Sequence, residues 1–235
     1  AYHLIQAEKA YDRESWAEAV GHYNTALTIF PDLRGVEARL GLCYMRMEDF
    51  NVSIGAFERA VRENPDSYRL VNNLGVAYLA QENYVEAEKM VRRALELNPD
   101  YMPAHYNLAL MYYRTEMYEE AREHFAIYFR EDSGDIEALQ IYSDVLIELE
   151  RWDAAEVLLQ KSAEILPQAP PVHFRLAQVL AHLGRGEEAM ESLLNGVELV
   201  DGPRALAAIA GEEFDPLRDR NDFKQLVGRL AALNE

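Results

Sequence analysis

Residues 74–99 read LGVAYLAQENYVEAEKMVRRALELNP. Leu74, Gly75 and Tyr78 fall at the three- and four-residue spacing of one helix face. Gln81-Glu82-Asn83 interrupts that pattern and Tyr84 reopens it. Ala87, Val91 and Ala94 then recur at helical spacing until Asn98-Pro99, where proline, having no N–H to donate, ends the run. Two helices of about 13 residues joined by so short a turn form an antiparallel hairpin.

The same grammar runs along the chain. Pro31, Pro65, Pro99 and Pro167 lie on one 34-residue ruler, with Ser133 on the mark where proline is missing. A hairpin of this length cannot bury its own apolar face, so copies stack and share a core. The ruler predicts an all-α fold, a right-handed α-solenoid of antiparallel helix pairs. Six repeats are expected, at residues 1–33, 34–67, 68–101, 102–135, 136–169 and 170–202, followed by a helical cap over 203–235. Small residues recur where helices cross: Gly41, Gly75, Ala109 and Ala177 in first helices, Ala19, Ala87, Ala121, Ala155 and Ala189 in second ones. Tyr44, Tyr78, Tyr112, Phe57 and Phe125 fill the wider space beside them.

These residues resemble the pattern of the tetratricopeptide repeats. Leu40-Gly41, Tyr44, Phe57, Ala60 and Pro65 carry it in the second repeat, Leu74-Gly75, Tyr78, Ala87, Ala94 and Pro99 in the third, and Leu108, Tyr112, Ala121 and Phe125 in the fourth. The fifth departs from it at Tyr142, Ser143, Leu146 and Ser162, and the first at Gln6, Ala7 and Ala10. The last stretch resembles the segment that closes many bacterial arrays of this family. Its Phe214, Leu217 and Phe223 are expected to cover the end of the array, with Arg218, Asp219, Arg220, Asp222 and Lys224 outside. The missing proline at Asp132-Ser133-Gly134 marks where the array is expected to bend most easily.

Charge narrows the function. With 23 Lys and Arg against 41 Asp and Glu, the chain carries −18, which argues against electrostatic binding to nucleic acid or an anionic membrane. No apolar run approaches the roughly 20 residues a membrane helix requires. The only cysteine, Cys43, lies on an apolar helix face and reads as a buried structural thiol, so no internal disulfide can form. Cysteine usage leaves cytosol and periplasm open. The chain begins at Ala1, already inside a helical pattern, which reads as an excised or processed fragment.

No catalytic constellation is visible. The chain has no His-Glu-x-x-His, no cysteine pair, no glycine-rich phosphate loop and no Gly-x-Ser-x-Gly elbow. His105 and His173 occupy a slot where the family places a large aromatic, and are expected to pack. His22 and His124 lie on second helices and His3 at a helix end. No enzyme activity, metal or cofactor is expected.

The resemblance implies that first helices line a concave groove. Arg39, Arg46, Arg69, Asn72, Asn73, Tyr106, Asn107, Tyr113 and Arg114 are its expected partner-binding residues, together with Leu42, Met45, Val76 and Leu110. Four arginines and no acid in this set, on a chain of charge −18, would draw a peptide or protein with an acidic segment. Farther along, Glu137, Asp144 and Glu148 turn the groove acidic, and Arg175, Gln178 and His182 turn it mixed. The family's two-carboxylate clamp for peptide C-termini is not reproduced, because Ala38 and Leu42 stand where its Lys and Asn would be. The leading expectation is a non-enzymatic interaction scaffold. A recognition arm of a larger enzyme and a self-assembling scaffold are the alternatives.

Overall fold

A computed structural model describes residues 1–130 and 134–232, and every described regular element is helical. Consecutive helices run as pairs: α1 (Tyr2–Asp12) with α2 (Trp16–Ile29), α3 (Val36–Arg46) with α4 (Phe50–Glu63), and α5 (Tyr68–Ala80) with α6 (Tyr84–Leu97). Then come α7 (Met102–Arg114) and α8 (Tyr118–Tyr128), α9 (Ile136–Glu148) and α10 (Trp152–Ile165), and α11 (Pro170–His182) and α12 (Gly186–Glu198). The chain closes with α13 (Gly202–Ala208), a 3-10 turn (Glu212–Leu217) and α14 (Asn221–Ala232). The architecture is the expected α-solenoid class of paired helices. The chain divides into two compact parts, residues 1–111 and 112–235. Asp132-Ser133, the core of the expected bend, lies outside the described residues.

In the N-terminal part, size complementarity sets the helix crossings. A Cβ added to Gly41 would meet the Phe57 ring at 2.7 Å, and one added to Gly75 would meet Val91 Cγ2 at 2.6 Å. Both glycines are therefore required by close approach rather than by backbone conformation. Where the second repeat carries Ser53 in place of alanine, its hydroxyl donates to Gly41 O at 2.9 Å and stays buried without cost.

The C-terminal part has its own core, built on Leu139, Leu146, Leu159, Val172, Leu193 and the cap residues Phe214, Leu217, Phe223, Leu226 and Leu230. The departures of the fifth repeat are absorbed locally. Ser143 and Ser162 donate to the carbonyls of Gln140 (2.8 Å) and Leu158 (2.7 Å) within their own helices. Tyr142 stacks against Phe125 (5.4 Å) and Phe129 (5.6 Å). In the expected cap segment, Phe214, Leu217 and Phe223 are buried while Arg218, Asp219, Asp222 and Lys224 are exposed, and Arg220 is half-buried. Arg218 pins the preceding turn by donating to Ala210 O (2.8 Å) and Gly211 O (3.2 Å).

Each hairpin turns through a residue in the left-handed region. These are Glu14, Glu48, Glu82, Glu116 and Glu150, with φ between 53° and 60°, and Gly184 at 74°. In the third repeat Glu82 N donates to Leu79 O (2.9 Å) and Asn83 N to Tyr78 O (3.0 Å), the paired bonds of a Schellman C-cap. The other five turns repeat both bonds. Two buried histidines tie one repeat to the next: His105 Nε2 donates to Pro99 O and His173 Nε2 to Pro167 O, each at 2.9 Å. At Pro65 the carbonyl accepts instead from the half-buried Arg93 at 3.0 Å, in a hydrogen bond open to solvent.

Candidate functional site

On a first helix, residues at i, i+3, i+4 and i+7 share a face, so α3 presents Arg39, Leu42 and Arg46 together and α5 presents Arg69, Asn72, Asn73 and Val76. In the N-terminal part these helices border a cavity of about 290 Å³ lined by Leu42, Met45, Arg46, Phe57, Asn73 and Val76. Arg46 is exposed and makes no ion pair among the described residues; Asn73, Leu42, Met45 and Val76 are half-buried.

Other expected site residues are already engaged. Arg39 is paired with Glu8 (3.3 Å), and its guanidinium lies 4.8 Å from the centre of the Tyr11 ring. Glu8 also accepts from the buried Tyr23 hydroxyl at 2.6 Å, and burial, reinforced by that bond, holds the Tyr23 phenol far above its ordinary value. An acid from the first repeat, outside the expected set, therefore neutralises one of its four arginines. Glu8 lies one 34-residue step before Leu42 and Tyr11 one step before Met45, so laying the first repeat on the same ruler identifies both.

Asn72 does not stand open on this face as the sequence reading expected. It is buried, and its amide oxygen accepts from Asn107 Nδ2 at 3.0 Å. The pair joins α5 to α7, which removes Asn72 from the surface open to a partner and leaves Asn107 half-buried beside it. Arg69 remains exposed, its guanidinium 5.7 Å from the Tyr68 ring, which meets Tyr101 edge-on at 4.8 Å. Tyr106 is half-buried.

In the C-terminal part Tyr113 is half-buried and Arg114 exposed. The Tyr113 ring lies 6.2 Å from that of Tyr118, and burial, followed by the negative charge of Asp144, raises its phenol above the ordinary range. The expected change from acidic to mixed character is muted, because Arg175 pairs with Asp144 at 2.7 Å and also donates to Gln178 at 3.2 Å. Burial pushes the Asp144 carboxyl upward and Arg175 opposes it. Glu137 and Glu148 stay exposed, while His182 stacks on Trp152 at 3.6 Å.

Chemistry beyond recognition finds few building blocks. His3 and His22 approach to 3.3 Å between their Nδ1 atoms, and no cluster of three or more His, Cys, Asp or Glu that could hold a metal occurs among the described residues. No described helix is long and apolar enough to cross a membrane.

Paired helices on a 34-residue period, with small residues at the crossings, define a tetratricopeptide-repeat array, and family models agree. One tetratricopeptide-repeat model matches residues 39–101 and a second matches 78–144 and 146–211, more than half of the chain. The chain belongs to the tetratricopeptide-repeat family, a family of protein-interaction modules. No curated protein matches it.

Solved structures share the fold. YrrB, described as a tetratricopeptide-repeat protein with an unusual peptide-binding site, aligns with a TM-score of 0.63 at 24% identity, covering 76% of this chain and 92% of that one. MamA aligns with a TM-score of 0.63 at 22% identity, over 71% of this chain and 91% of its own. The C-terminal part of a repeat-containing protein from Cytophaga hutchinsonii reaches a TM-score of 0.78 at 14% identity, over 97% of this chain and 94% of that one.

Proposed function

We propose that the chain is a non-enzymatic scaffold whose first helices hold an extended or helical segment of a partner protein. In the N-terminal part the contacts are Arg39, Arg46, Arg69, Asn73, Tyr106 and Asn107, with Asn72 supporting Asn107 from beneath; in the C-terminal part they are Tyr113 and Arg114. The observation that carries this reading is the cavity between α3 and α5, where apolar walls carry one amide and one arginine. Such a surface suits a side chain with its attached backbone, since the Asn73 amide can both donate to a peptide C=O and accept from its N–H.

A photoreactive residue in place of Tyr106 tests the reading. It should crosslink to the partner in a complex isolated with the unaltered chain, whereas the same residue in place of Val85, which is 77% exposed on a second helix, should not. Crosslinking from Val85 and not from Tyr106 would move recognition to the opposite face.

A further inference from the structure

We infer that the cavity between α3 and α5 is an anchor site for an apolar side chain whose neighbour in the bound peptide is an aspartate or glutamate. This rests on the concave-face reading above and adds the chemistry of the occupant.

The walls fix the first half of that chemistry. Leu42, Met45, Phe57 and Val76 supply apolar surface around about 290 Å³. That volume takes one large aliphatic or aromatic side chain and is at the small end of the range for whole small-molecule ligands, roughly 300–1,000 Å³. Methionine adapts its shape to whatever enters, so Met45 lets the site accept leucine, methionine or phenylalanine rather than one of them alone.

The arginines fix the second half. The chain carries 41 acidic residues against 23 basic ones, and several arginines near this face are already paired, while the exposed Arg69 and Arg114 do not line the cavity. Arg39 is held by Glu8, Arg59 by Glu37 at 2.7 Å, and Arg175 by Asp144. Arg46, at the rim of the cavity, is exposed and has no such partner among the described residues. An arginine left unpaired on so acidic a chain, beside an apolar hole, complements a carboxylate brought in by the occupant of that hole. Asn73 lines the same cavity and can hold the peptide unit between the two side chains.

The test is selection of a random 12-residue displayed peptide library on the intact chain and, in parallel, on Arg46→Glu and Val76→Phe variants whose helicity matches the parent. Peptides from the parent should be enriched about fivefold for an apolar residue next to Asp or Glu, the effect of one exposed ion pair. Arg46→Glu should shift that neighbour to Lys or Arg, and Val76→Phe, which fills the cavity, should remove the apolar preference. Unchanged preferences in both variants would overturn the anchor site while leaving the wider scaffold reading intact. If no peptide is selected by any of the three proteins and Tyr106 yields no crosslink, both fail.

Discussion

Five glutamates hold a backbone conformation that suits glycine. A side chain at positive φ crowds its own carbonyl, at a cost of roughly 1–2 kcal/mol, and the sixth turn escapes it with Gly184. Replacing Glu82 or Glu48 by glycine should therefore raise stability by about 1 kcal/mol each, read as a higher denaturant midpoint at constant slope. Gly184→Glu should lose a similar amount. The turns were legible as turns, yet their geometry was not: glutamate carries no local signature of the left-handed region, and only the 34-residue spacing of Glu14, Glu48, Glu82, Glu116 and Glu150 betrays it. Cys43 behaves differently. Burial pushes its thiol up to about 11 from an ordinary 9.0, so it stays protonated in the fold when the unfolded chain would ionise. Stability should then decline by about 2 kcal/mol as pH rises from about 9 to about 11, and alkylation of the native chain at pH 8 should be far slower than of the denatured chain.

At the scale of elements, the crossings decide which small residues tolerate growth. Gly75→Ala places a methyl 2.6 Å from Val91 Cγ2 and 3.3 Å from Ala87 O, so it should cost about 1–3 kcal/mol in thermal or chemical denaturation. Gly21 has nothing within 4 Å of an added Cβ, so Gly21→Ala in α2 should instead gain about 0.5–1 kcal/mol through helix propensity. The helix pairs and their crossings were readable from spacing alone because apolar periodicity and small-residue slots are local patterns. The candidate site was readable only in part. Asn72 and Asn73 differ by one residue, about 100° around a helix, which sends one into the contact with Asn107 and leaves the other at the cavity. Which arginines remain available depends on partners far off in sequence, as Glu8 is from Arg39, and the reach of those side chains is set only once the helices pack.

For the whole molecule, the end of the array matters as much as its repeats. Residues 214–230 place five large side chains in the core shared with α11 and α12. Removing residues from 212 onward should therefore open α11 and α12 first, seen as faster amide hydrogen exchange there before any change in α3 to α6. Unaltered protection in α11 and α12 would contradict a capping role.

The links between repeats also have a mechanical meaning. At Pro99 and Pro167 the carbonyl is latched by a buried imidazole, whereas at Pro65 it is held by an arginine side chain through a solvent-exposed bond that water can displace. Position 71, where a matching histidine would reach Pro65, is occupied by Val71. Under tension applied to both termini, the seam beside Pro65 should yield at lower force than the one beside Pro99, and Val71→His should narrow the gap between them.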